Sequence, residues 1–414
     1  MRHYARLIGF AACLLVLLTT CSLPFTGGRQ VRVAAFVAPP TAVLGPTVLP
    51  TVTPVPMAAS TPVLEPPAAP PLAAVLAPVR TGDGAPLAPD MLTRAAQMDA
   101  YIASLARQGR FSGSVLVAVR GHVLLSRGYG MANREAAIPA TASTRYRLAS
   151  VTKPLTALGV LRLAAAGKLN LDASICAYLD PCPAAWGPIT VAHLLSHSSG
   201  LANYTDFAEF ADLELSPSTP EQTIALFRDL PLGFVPGTLY HYTNSNYVVL
   251  GRLIEQVAGM SYEEFMRREL FQPLDMQDTG LDPGDFGPLK GTRGYAGGQP
   301  DIPLDVSNLF AAGDLYSSVE DLFKLAQALD AGRLLPADLA ARMTTPGHGG
   351  YGLGWKIEQR GPHRLVYHPG SMSGAATWFG RYPDQGVTVI VLSNEYYANV
   401  SAIANYLAGQ VLGS

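Results

Sequence analysis

The segment RLASVTKPLTAL, residues 147–158, sets Ser150 and Lys153 three positions apart inside otherwise apolar text. On a helix that spacing puts both side chains on one face, a turn apart, with the amine in reach of the hydroxyl. Pro154 fits the first turn of such a helix, where its missing N–H costs nothing. Ser150 then lies where coil enters helix, and the unpaired backbone N–H groups there face whatever binds. A lysine in a largely apolar cleft loses hydration, its pKa falls, and it becomes able to take or relay the proton of the serine. In an inert core the same desolvation would be a pure loss. Ser-x-x-Lys alone also describes a solvated helix start with a capping serine, so other residues must decide.

Two further groups do so. Tyr242-Thr243-Asn244 stands just ahead of a helical stretch in PGTLYHYTNSNYVVLG, and His368-Pro369-Gly370 stands among strands in VYHPGSMSG. In this order the three elements resemble the penicillin-recognising serine hydrolase superfamily, specifically its class C beta-lactamase-like branch of D-alanyl-D-alanine carboxypeptidases, D-aminopeptidases and family VIII esterases. The resemblance runs from about Met91 to the C-terminus and includes the flanking text HLLSHSSGL, GDLYSSVEDL and GRYPDQGVTVIVLSN. It implies that Ser150 attacks a carbonyl and forms an acyl-enzyme. Lys153 stays beside Ser150 and Tyr242, its charge favouring the phenolate, and Tyr242 serves as general base or shares that duty with Lys153. Asn244 would bond Lys153 and the substrate, and the N–H groups of Ser150 and Ser371 would form the oxyanion hole. His368 and Gly370 would line the substrate side. The lactamases carry Lys-Thr-Gly as third motif; His368 in that place is only fractionally charged near neutral pH. The resulting order is esterase or D-peptide hydrolase first and true lactamase last. A small ester or a D-amino-acid peptide, peptidoglycan included, is the expected substrate.

The elements that must position these residues can be read coarsely. A helix over MLTRAAQMDAYIASLARQG precedes a hairpin of FSGSVLVAVR and HVLLSRGYG. Mostly helical text follows from Pro154 to about Pro300, with ALGVLRLAAAGKL, VAHLLSH and SNYVVLGRLIEQVAG as examples. Ser317 and Glu320 could open the helix SVEDLFKLAQALDAG as a capping box. Strands return as YGLGWKIEQ, HRLVYH, AATWFGRY and GVTVIVLSN before a last helix from about Ala398. The expected fold is α+β of the beta-lactamase/transpeptidase-like kind: an antiparallel sheet flanked by helices (residues 91–153 and 302–414) beside an all-helical part (154–301), with the site in the cleft between them. Substrate selection would fall to the loops 202–230 and 280–303.

The N-terminus addresses the chain elsewhere. MRHYARLIGFAACLLVLLTT, residues 1–20, has a basic start and an apolar run too short to span a bilayer, which reads as an export signal. LTTC resembles the bacterial lipoprotein box, with Thr20 where that box prefers Gly, Ala or Ser; Cys21 is then a lipid anchor and membrane tether, and plain secretion stays open. Residues 21–90 form a Pro-rich, nearly uncharged spacer that cannot pack as helix or sheet. Export suits a disulfide between Cys176 and Cys182, with two buried thiols as the alternative. The chain has 414 residues, 49% of them hydrophobic, and a net charge of -2, so it can fill a core and carries no basic excess for nucleic acid. His193 and His197 have metal-like spacing, yet Leu194 occupies the zinc-peptidase glutamate position, so packed histidines without metal are expected. No Gly-x-Ser-x-Gly elbow is present, which removes an α/β-hydrolase nucleophile. No cofactor is called for, and a monomer is the expectation. A non-catalytic wall-binding scaffold of the same fold is the reading from another class.

Overall fold

The computed structural model describes residues 89–284, 291–302 and 304–413. The export signal, Cys21 and the spacer up to residue 88 lie outside the described residues.

Helix α1 (Pro89–Arg107) buries Ala95, Met98, Ile102 and Leu105, one stripe at three- and four-residue spacing. It leads into the hairpin of β1 (Gly113–Val119) and β2 (His122–Tyr129). The next long helix is α2 (Thr152–Ala165), followed by α3 (Asn244–Ala258) and α4 (Val319–Asp330). Then come β3 (Lys356–Arg360), β4 (His363–Met372), β5 (Ala375–Tyr382), β6 (Val387–Ser393) and the closing helix α5 (Val400–Leu412). These strands form one antiparallel sheet in the order β3-β4-β5-β6-β1-β2. The N-terminal hairpin is completed by the C-terminal strands through β1 on β6, with Gly113 opposite Ser393 and Val119 opposite Val387.

Both faces of this sheet are covered, which explains why its central strands read as continuous apolar runs. Alternate side chains divide between two cores, as the pleat requires. Val115 and Val117 of β1 and Val389 and Val391 of β6 pack under α1 and α5. Leu116, Ala118, Ile390 and Leu392 point the other way, into the core that holds α2, α3 and α4. Helix α2 is buried on nearly every side through Leu155, Leu158 and Leu161, so Lys153 is carried into the interior by a helix with no solvent face at that level.

Three expectations need correction. The part 154–301 is not all helix: Gly280–Leu281 pairs with Leu315–Ser317, which pairs with Tyr146–Arg147 in a small sheet, and Tyr295–Ala296 pairs with Gln299–Pro300. The cap of α4 is Ser318, whose hydroxyl accepts from Asp321 N, not Ser317 with Glu320. Ser317 ends a strand instead, and its hydroxyl bonds that of Thr279 at 2.7 Å. Tyr351–Trp355 is not strand, because Gly352 N bonds Trp355 O and Gly354 N bonds Leu195 O, closing a turn against the helical part; β3 starts at Lys356. Cys176 and Cys182 form a disulfide.

Candidate active site

Ser150 lies in a tight turn, Ala149–Val151, immediately before α2. Ala149 has φ of 49°, a left-handed conformation that a residue with a Cβ adopts only when its surroundings impose it. They do so here from three directions. Leu148 N donates to Leu315 O, Val151 N donates to Leu148 O, and Thr377 Oγ1 on β5 donates to the same carbonyl at 2.7 Å. Gly370 on β4 lies against this turn so closely that a Cβ would sit 2.4 Å from Leu148 O and 2.3 Å from Thr377 Oγ1. The glycine of the third motif is thus fixed by packing of the sheet against the nucleophile's own backbone.

Lys153 is fully buried, with Nζ 3.1 Å from Ser150 Oγ, 2.8 Å from Asn244 Oδ1 and 2.9 Å from Ala312 O. Asn244 Nδ2 donates to Thr205 Oγ1, which turns the amide oxygen toward the amine. Asn244 Oδ1 and Ala312 O can only accept, so two N–H bonds of Lys153 are committed to them. The third contact of Nζ is to Ser150 Oγ, so the lone pair left when Lys153 loses its proton is aimed at the serine hydroxyl. Burial drives the pKa of Lys153 well below its ordinary value, in agreement with that neutral form.

Tyr242 precedes α3 in an extended stretch capped by Thr243, whose hydroxyl accepts from Ser245 N. Gly259, at φ 69°, ends that helix. The Tyr242 hydroxyl donates to Ser150 Oγ at 3.0 Å. Burial raises the phenol's pKa, outweighing the opposing effect of the Ser150 bond, so Tyr242 keeps its proton. Burial thus acts on both groups in the direction of their uncharged forms, the phenol and the amine.

His197 lies beneath Tyr242, with ring centroids 4.3 Å apart, and is itself buried at φ 57°. Its Nδ1 accepts from Thr243 N, fixing the backbone next to the tyrosine. His193 is elsewhere employed, its Nδ1 accepting from Thr190 N in a capping box. Among the described residues no group of His, Cys, Asp or Glu is arranged to hold a metal.

His368 does not take up the expected substrate-side position. It is buried, with Nδ1 2.7 Å from Pro369 O and Nε2 2.9 Å from Tyr351 Oη. Nδ1 therefore donates and Nε2 accepts from the tyrosine. Burial, with the nearby Lys153 adding to it, pushes the pKa of His368 down to about 3. The imidazole is neutral, not fractionally charged. Ser371, by contrast, is exposed and lines a cavity of about 440 Å³ together with Asn244 and Met372. Thr205 and Glu214 of the first loop region named above and Ala296 and Asp301 of the second reach the same cavity. Tyr351, Ala312 O and Thr205 escaped the sequence reading. Tyr351 lay in text read as strand, and a backbone carbonyl has no sequence signal.

The chain belongs to the beta-lactamase family: the family model described as Beta-lactamase matches residues 96–412. That family consists of serine hydrolases that transfer acyl groups, and the fold is the beta-lactamase/transpeptidase-like fold. Among individual proteins, Penicillin-binding protein 4* of Bacillus subtilis (strain 168) is 28% identical over 319 residues, 70% of this chain and 70% of its own length. Esterase EstB of Burkholderia gladioli is 27% identical over 377 residues, covering 75% of this chain and 93% of the esterase. The octameric penicillin-binding protein homologue from Pyrococcus abyssi superposes with a TM-score of 0.70 at 30% identity over 77% of either chain.

Proposed function

We propose that this protein is an exported serine hydrolase that cleaves an ester or amide through an acyl-enzyme, as an esterase or a D-peptide hydrolase of the D-alanyl-D-alanine carboxypeptidase type. The convergence of Lys153 Nζ and Tyr242 Oη on Ser150 Oγ, at 3.1 and 3.0 Å, carries the reading. Ser150 gives its proton to the Lys153 lone pair as Oγ bonds the carbonyl carbon. The oxyanion forms against the N–H groups of Ser150 and Ser371. Tyr242 then protonates the leaving oxygen or nitrogen, and the proton taken up by Lys153 neutralises the phenolate so formed, so that both groups return to their starting state. Water attacks the acyl carbon in the second half, loses its proton to the same pair of groups, and Ser150 Oγ leaves with a proton, so that ester and water become acid and alcohol.

A neutral, buried His368 leaves no cation at the third motif, which supports placing beta-lactamase activity last. Export rests on the basic and apolar first twenty residues, and Cys21 as a lipid anchor would keep the enzyme at the cell envelope; Cys21→Ala should then release it from the membrane fraction. A short-chain p-nitrophenyl ester, a D-Ala-D-Ala peptide and nitrocefin, assayed side by side on wild type and Ser150→Ala, separate the readings. Ester or peptide turnover lost in the variant is expected. Nitrocefin as the best substrate would reverse the order, and no turnover with no fluorophosphonate labelling would leave the non-catalytic scaffold.

A further inference from the structure

Beyond Tyr367 the strand that borders the cleft is held on one side. β3 pairs with β4 from Lys356 opposite Tyr367 to Arg360 opposite His363, whereas His368 to Met372 have only β5 as partner strand among the described residues. This half of β4 is the part that meets the nucleophile. A Cβ on Gly370 would sit 3.1 Å from Ser150 N, and Ser371, next along, lines the cavity. A strand edge without a neighbour keeps its N–H groups open, which suits an oxyanion donor and leaves its position to be set by other contacts. Tyr351 supplies such a contact: its hydroxyl donates to His368 Nε2 at 2.9 Å, and both residues are buried. The other ring nitrogen of His368 donates to Pro369 O at 2.7 Å, so the imidazole is tied to the backbone just before Gly370 and Ser371.

Tyr351 is itself anchored to the helix that carries the nucleophile. It opens the turn in which Gly354 N donates to Leu195 O, a carbonyl that also accepts from Tyr247 Oη of α3 at 2.9 Å. Gly354, at φ 86°, lies so close to α2 that a Cβ would sit 2.4 Å from Ala157 Cβ and 3.3 Å from Lys153 O. The Tyr351 ring stands at 74° to that of His197, centroids 4.7 Å apart. Its hydroxyl therefore joins a fixed point beside α2 to the half of β4 that β3 does not hold.

We propose that Tyr351 is a positioning residue for acyl transfer: through His368 it sets residues 370–371 of β4 against the Ser150 turn, and so the fit of the oxyanion between the N–H groups of Ser150 and Ser371. A buried ring nitrogen that loses its donor is costly where it stands, so without the tyrosine hydroxyl the imidazole and the backbone tied to it shift. The inference rests on the hydrolase reading and adds to it a residue that acts through another.

The test uses the full chain with p-nitrophenyl acetate and p-nitrophenyl thionoacetate, which carries sulfur in place of the carbonyl oxygen. Sulfur accepts hydrogen bonds weakly, so the ratio of the two kcat/KM values reads the oxyanion hole. Comparison with wild type on the same pair cancels their intrinsic reactivities. Tyr351→Phe should lower kcat/KM for the oxygen ester about tenfold, part of the roughly hundredfold or more that losing a whole oxyanion donor costs. The ester-to-thionoester ratio should fall by a similar factor. A smaller folded fraction would lower both rates equally and leave the ratio alone. His368→Leu should lower the ratio likewise, and adding Tyr351→Phe to it should lower the ratio no further, since the route runs through the imidazole. An unchanged ratio in Tyr351→Phe, or a further fall in the double variant, would overturn the inference and leave the hydrolase standing; should Tyr351→Phe not fold, His368→Leu decides by the same ratio. A wild-type chain that neither hydrolyses p-nitrophenyl acetate nor is labelled at Ser150 would remove both.

Discussion

At the scale of single residues, the charge of Lys153 decides the chemistry. Its folded pKa is depressed by burial, so the reactive, unprotonated amine is present above that depressed value and is lost as pH falls through it. kcat/KM should therefore rise with pH along an acid limb whose midpoint lies well below the ordinary lysine value of about 10.4. Tyr242, raised by burial, should add no loss of activity at alkaline pH up to about 10, its unperturbed value. Lys153→Arg keeps a permanent cation in the same place and should abolish turnover, as should Ser150→Ala; both are checked by steady-state kinetics alongside circular dichroism. An active arginine variant would mean that the neutral amine is not the base. The nucleophile, the lysine and the tyrosine were legible because their chemistry demands particular side chains at fixed spacing. The direction of the proton was not, since it depends on Ala312 O and on the orientation of the Asn244 amide.

At the scale of elements, the site is a joint between α2, the segment before α3, and the β4–β5 edge. Gly370→Ala places a methyl against the Leu148 carbonyl. Overpacking of this kind costs about 1–3 kcal/mol. The larger effect should be a fall in kcat, because the Ala149–Val151 turn has to shift. Thermal melts and kinetics of that variant separate the two. His197→Ala removes the ring beneath Tyr242 and the acceptor of Thr243 N, so kcat should drop more than KM changes; unchanged kcat would show that the tyrosine needs no such support. Periodicity found the long helices and the large strands because one face or both faces of each are apolar. It misplaced the start of α4 by one residue, since Ser317 and Ser318 are chemically alike and only the pairing of Leu315–Ser317 with Tyr146–Arg147 tells them apart. Hydrophobic text such as YGLGW reads as strand because a turn closed by a backbone bond to Leu195 leaves no pattern in the side chains.

At the scale of the whole molecule, the first and last parts of the described chain build one sheet, so the catalytic cleft cannot form until both are folded. Buried histidines make that fold sensitive to acid. His368 has a folded pKa of about 3 against roughly 6.5 when unfolded, and His197 is lowered by burial in the same sense. Between those values the unfolded chain binds the extra proton, so stability is full above about pH 6.5 and declines as pH falls toward 3. Melting temperatures measured from pH 7 to pH 4 should drop, and His368→Gln should flatten the decline; an equal slope in that variant would exclude His368 as a contributor. The overall architecture was legible from the order of helices and strands together with the three motifs. The neutral state of His368 was not, because a sequence does not reveal that its third motif faces Tyr351.

The central claim is tested most directly by mass spectrometry of the full chain after brief reaction with a fluorophosphonate. One adduct per chain is expected, mapped to the peptide containing Ser150, absent from Ser150→Ala and much slower to form in Lys153→Arg. Labelling that persists in Ser150→Ala, or that maps to another serine, would contradict the account.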